Sequence, residues 1–150
     1  MGHSADWSVR SRALEEKFPL RGAACVAEPD EDERKRIAQA LRRMGYNVHE
    51  TGSGAAASFI AAQVRIELMA ISLMLRDARA LTLIRQLRRA QPDLRIIAFT
   101  PGRFAVPAAF ELARMAGADA ALEAPVSSSA LARAISETRR VARMEVRASG

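Results

Sequence analysis

From Ala23 onward, short apolar runs alternate with longer segments whose apolar residues recur at helical spacing. The first kind of segment fits a strand and the second an amphipathic helix. Ala23–Ala27 is apolar throughout, as a strand buried on both faces must be, and it ends at Glu28-Pro29. The acidic cluster Asp30-Glu31-Asp32-Glu33 then opens a helix, because carboxylates are favoured at the positive end of the helix dipole. Ile37, Leu41 and Met44 form its inward stripe, and Gly45 ends it. Tyr46–Glu50 reads as a second strand, and Ser53 is placed to cap a second helix over Ala55–Gln63. Leu68–Ser72 is the clearest strand of all. The spacing predicts a third helix over Ala78–Ala90, with Leu81, Ile84 and Leu87 inward, Arg85, Arg88 and Arg89 outward, and Pro92 as its stop. Leu94–Phe99 is the fourth strand, Ala105–Ala116 the fourth helix and Ala118–Leu122 the fifth strand. A last helix starts near Ser127–Ser129, with Leu131, Ile135 and Val141 facing inward.

Five such repeats with short connections imply right-handed crossovers and a doubly wound, five-stranded parallel sheet, an α/β fold. In that architecture chemistry gathers beyond the carboxyl ends of the strands. The positions to examine are therefore Glu28, Pro29 and Asp30 after the first strand, Ser72 after the third, Thr100 after the fourth and Ala124 after the fifth.

The length of 150 residues suits one core and not two. Residues 23–143 carry the repeats. Residues 1–22, with sparse apolar positions at Trp7, Leu14, Phe18 and Leu20, read as an arm or short docking helix, and residues 139–150 as a basic extension. The longest apolar run, Leu68 to Leu75, is far short of the roughly 20 residues that span a bilayer, and the N-terminus has no apolar signal core. The expected location is cytoplasmic, with no membrane partner. Cys25 is alone, so no internal disulfide forms, and it reads as a small core residue. His3 and His49 stand apart without clustered ligands, so no metal site and no cofactor are expected. Met44, Met69, Met74 and Met115 read as core filling.

The net charge of +6 raises the question of an acidic partner. All but Lys17 and Lys35 of the basic residues are arginine, which binds carboxylates and phosphates bidentately. The plainer alternative is solvated helix faces. The chain leaves no room for a separate helix-turn-helix module, which argues against direct DNA binding.

Several landmarks occur in one order: Arg42-Arg43-Met44-Gly45-Tyr46-Asn47-Val48, Thr51-Gly52-Ser53-Gly54-Ala55-Ala56, Pro92 through Thr100, Gly117-Ala118-Asp119, and Pro125. In this collinear set, about Arg21 to Arg140, the chain resembles the CheY-like receiver domain of bacterial two-component response regulators. The resemblance implies a flavodoxin-like sheet of strand order 2-1-3-4-5 flanked by five helices. It also implies a site in which paired carboxylates hold Mg²⁺, an aspartate accepts a phosphoryl group from a kinase histidine, and a hydroxyl and a lysine neutralise the charge. In this sequence the positions of the carboxylate pair hold Glu28 and Pro29, the acceptor position holds Ser72, the hydroxyl is Thr100, the lysine position is Ala124 and the aromatic switch position is Ala121.

A serine hydroxyl, unlike an aspartate, needs an adjacent base to attack. The expectation is a degenerate pseudo-receiver that is not an enzyme and is not phosphorylated on aspartate. Two lesser alternatives are Asp30 holding Mg²⁺ beside Glu28, and Ser72 as a seryl phosphosite. The expected function is a protein-protein interaction module whose partner is a signalling protein: a histidine kinase, a response regulator or an output protein. The face implied by the resemblance joins the fourth helix, fifth strand and fifth helix, with Ala105 to Met115 and Arg133, Arg139, Arg140 and Arg143 as candidates. The alternative is a cyclic di-GMP effector using the C-terminal arginines. Receivers also form homodimers through this face, against which its positive charge acts here.

Overall fold

Residue parity along each strand divides the core. Ala24, Val26, Leu68, Ala70, Ile97 and Phe99 pack with Ile37, Leu41, Leu131 and Ile135 on one face of a sheet. Cys25, Ala27, Met69, Ile71, Ile96 and Ala98 pack with Ala57, Leu83, Ile84, Leu87 and Ala113 on the other. A strand apolar in both phases has to be covered twice, which is what helices on both faces accomplish. The computed structural model describes residues 21–149, and the side chains as far as Thr138.

The elements alternate: β1 (Gly22–Ala27), α1 (Glu31–Arg43), β2 (Tyr46–Thr51), α2 (Gly54–Gln63), β3 (Ile66–Ser72), α3 (Ala80–Ala90), β4 (Arg95–Pro101), α4 (Pro107–Ala116), β5 (Ala120–Ala124) and α5 (Ser128–Ser149). All strand pairs are parallel, in the order β2-β1-β3-β4-β5. The fold class and order are those expected. Helices α1 and α5 cover one face; α2, α3 and α4 cover the other. No helix among the described residues is long and apolar enough to cross a membrane. The expected arm lies almost wholly outside the described residues, as does Val141's side chain.

Differences from the sequence reading have local causes. Helix α4 starts at Pro107, not Ala105, because the proline holds Val106 extended (φ −90°, ψ 152°) and Gly102–Phe104 forms a 3₁₀ turn first. Strand β5 starts two residues late. Gly117, at φ 127°, reverses the chain, and the Ala118 amide is spent on the Ala113 carbonyl. A Cβ at Gly117 would also lie 2.9 Å from the Cβ of Arg88, so only glycine fits.

That approach explains a second correction. Arg88 does not point outward like Arg85 and Arg89. Its guanidinium donates to the Gly117 carbonyl at 3.0 and 2.8 Å, to the Pro92 and Leu94 carbonyls, and to Asp119 at 2.8 Å. The same Asp119 oxygen accepts from the Ile96 amide at 2.8 Å. One side chain thus ties α3 to the start of β4 and the turn before β5. On α3, Leu83 is buried beside Ile84 and Leu87, while Leu81 is only partly covered. Met69 is core and Met44 packs at its margin, but Met74 and Met115 are exposed, at 40% and 74%. Cys25 is fully buried, and burial pushes its thiol up to about 12.

Candidate functional site at the carboxyl edge of the sheet

Glu28 follows β1 and is buried, at 7% exposure. Its amide donates to the Thr51 carbonyl at 2.9 Å, and the Arg34 guanidinium donates to its carbonyl at 3.0 Å, so the backbone is fixed on both sides. Its carboxylate accepts from the Asp30 amide at 3.0 Å. Burial pushes the Glu28 carboxyl above the usual range, and the Asp30 and Glu33 charges push it further; the Asp30 amide and the Ser72 hydroxyl draw it partly back. Asp30 is the N-cap of α1, its carboxylate accepting from the Glu33 amide at 3.0 Å. Pro29 contributes no carboxylate.

Ser72 ends β3 and is fully buried. Its hydroxyl oxygen accepts from the Met74 amide at 3.0 Å, a closed local turn. By strand parity Ser72 lies on the α1–α5 face with Ala70, as Glu28 does with Val26. Thr100, at 1% exposure, falls on the other face and borders the space between α3 and α4. The structure therefore brings Glu28 and Ser72 together and sets Thr100 apart from them. Ala124 ends β5 opposite Pro101, and its peptide bond to Pro125 is cis. Ala121, at 9% exposure, packs a methyl group towards α4.

Two residues that the spacing did not assign to the site, Glu33 and Asp77, brace it. Glu33 accepts from the Val126 amide at 2.9 Å and pairs with Arg36 at 2.8 Å, while Arg36 donates to the Val126 carbonyl at 3.3 Å. This pair braces α1 against the β5–α5 connection. Asp77, in the β3–α3 loop, accepts from the Gly54 amide at 2.8 Å, the Ala55 amide at 3.0 Å and the Ser53 hydroxyl at 3.0 Å. These donors, the two amides first, hold its carboxyl down at about 2. Ser53 itself accepts from the Ala56 amide at 3.1 Å, as its capping position predicts. A Cβ on Gly54 would sit 2.8 Å from that of Ala78, so the loop lies flat on the start of α2.

Because Asp77 is depressed below its ordinary 3.8, its contribution is complete above about pH 4 and fades as pH falls towards 2. Asp77→Ala is expected to free the loop at neutral pH, with hydrogen exchange at the Gly54 and Ala55 amides faster by about tenfold or more and exchange in β1 unchanged.

The oxygens at this edge do not make a divalent-cation set. The Asp30 carboxylate accepts from its cap amide, Pro29 supplies no acid, the Glu28 carboxyl is raised by burial, and Ser72 is neutral and engaged. Among the described residues no three His, Cys, Asp or Glu side chains converge. On α5, Arg133 is exposed; the side chains of Arg139, Arg140 and Arg143 are outside the described residues.

A family model described as the response regulator receiver domain matches residues 24–136. A response regulator protein from Burkholderia pseudomallei, solved with a phosphorylated aspartic acid, calcium ion and citrate, is similar at 27% identity and a TM-score of 0.71. The match covers 83% of this chain and 72% of that one. A receiver domain protein from Clostridium thermocellum shares the fold at 18% identity and a TM-score of 0.72, over 82% and 98% of the two chains. A CheY-like receiver domain from Methylobacillus flagellatus does so at 21% identity and a TM-score of 0.67, over 79% and 98%. No curated protein matches. Five parallel strands in the order seen here, a strand-end site and a family match over most of the length agree, and the chain belongs to the response regulator receiver domain family.

Proposed function

We propose that this receiver acts in two-component signalling as a phosphorylation-independent interaction module, not as a phosphoryl acceptor or an enzyme. The observation that carries the reading is the state of Ser72, which occupies the acceptor position implied by the resemblance. It is neutral, fully buried, and closed on the Met74 amide at 3.0 Å. An aspartate is already an anion at neutral pH, whereas a serine needs a base. Glu28 lies beside it but already accepts from the Asp30 amide, and Pro29 and Ala124 supply neither the second acid for Mg²⁺ nor the cation that would neutralise a transferred phosphoryl group. Groups that act as a unit lose their effect together.

The fold frame that presents partner-binding surfaces is retained, and α4 exposes Leu112 and Met115. The partner is a histidine kinase, a response regulator or an output protein, engaged without a phosphorylation step. Incubation with acetyl phosphate and Mg²⁺ followed by intact-mass measurement is expected to leave the mass unchanged. A stoichiometric adduct mapped to this edge overturns the reading. Co-purification with signalling partners is expected to be insensitive to acetyl phosphate and weakened by Met115→Glu.

A further inference from the structure

A second surface lies on the α3 side of α4, away from β5 and α5. A cavity of about 490 Å³, open to solvent, runs between the two helices and is floored by Thr100 at the end of β4. Its apolar lining includes Leu73, Met74, Leu81, Phe104 and Leu112. Met74, Phe104 and Leu112 are 40%, 42% and 46% exposed, and they are half of the large apolar side chains exposed among the described residues. Single exposed apolar residues are ordinary, but several gathered in one open groove mark a contact surface.

Charge selects the occupant. Arg79 and Arg85 line the groove, no carboxylate does, and neither arginine pairs with an acid among the described residues. Arg103 adds a third cation beside it, stacked 4.9 Å over the Phe104 ring. Asp77, near in sequence, is consumed by the start of α2, and Glu111 on α4 is not in the lining. Guanidinium groups beside an apolar trough complement carboxylates beside an apolar stripe.

We propose that the α3–α4 groove binds an acidic amphipathic segment of a separate protein, its apolar residues at helical spacing seated on Met74, Phe104 and Leu112 and its carboxylates facing Arg79 and Arg85. This rests on the interaction-module reading and names a surface and a partner chemistry for it. A second copy of this chain is disfavoured by its net charge of +6.

The probe is a random peptide library displayed on phage and panned against the full chain at physiological salt. Enriched sequences are expected to carry Asp or Glu around apolar residues at helical spacing. Their synthetic, fluorescently labelled versions should bind saturably, and should weaken about tenfold or more when the acids are replaced by lysine. Leu112→Glu and Arg85→Glu should each weaken binding by about tenfold or more, while Phe59→Glu, exposed on α2 and outside the groove lining, leaves it unchanged. Arg85 is exposed, so its reversal keeps the fold, which a thermal melt verifies. No enrichment, enrichment of basic peptides, or binding indifferent to both variants overturns the groove. If binding falls only with Met115→Glu, the groove is wrong and the module reading stands; a phosphoryl adduct with groove binding intact reverses that. A dimer dissolved by Leu112→Glu, or tighter peptide binding after Trp7→Ala, would place the chain itself in the groove and overturn a separate partner.

Discussion

Ser72→Asp is expected to destabilise the folded domain by about 3 kcal/mol at pH 7, the cost of an uncompensated buried charge. The position is fully buried, the neighbouring Glu28 is itself raised by burial, and the position where the resemblance implies a lysine is Ala124. The sign with pH follows. A buried aspartate has a raised folded-state pKa, so the variant is penalised above the unfolded value near 4, increasingly as pH rises, and approaches the parent below it. Chemical denaturation at pH 7 and pH 4 measures the difference. Adding Glu28→Gln to the variant is expected to recover part of the loss at pH 7, because one of two facing carboxylates is gone. Restoring the acceptor alone is also expected not to restore phosphorylation, since Pro29 and Ala124 remain.

Arg88→Ala is the second large effect, about 2–3 kcal/mol of stability lost, from the scale of hydrogen bonds to charged groups left unmade. The ion pair with Asp119 contributes little of this, since both side chains are partly exposed, at 25% and 35%, and screened. The loss comes from the Leu94 and Gly117 carbonyls, which are left without their donor. Arg88→Lys should recover less than half, because an ammonium cannot reach three carbonyls from one planar fork. Equal stability of the lysine variant and the parent would show that charge alone matters there.

The strands were legible because their apolar residues occupy both phases, a pattern only a doubly covered sheet accepts. The positions of interest were legible for a related reason: Glu28, Ser72, Thr100 and Ala124 sit where the apolar runs end, and Pro29 and Pro125 mark two of those ends. What spacing could not convey is side-chain reach. Arg88 has the helical phase of a surface residue, yet its fork turns back across 29 residues of sequence to Gly117. Asp77 meets Gly54 at a separation of 23, and Glu33 meets Val126 at 93. The exposure of Met74 depends on how far α3 and α4 stand apart, which the periodicity of neither helix encodes. The parity that puts Thr100 across the sheet from Ser72 was available in the sequence, but only once the true length of β4, to Pro101, was known.

The claim that the rest depends on is that this carboxyl edge does not accept a phosphoryl group. Beryllofluoride with Mg²⁺ mimics that group without transfer, so it probes the site independently of any donor. Amide NMR spectra titrated with both are expected to show no saturable shifts at Ser72, Met74, Thr100, Ala121 or Val126. Saturable shifts centred on those amides, requiring both the metal and the fluoride, would contradict the account.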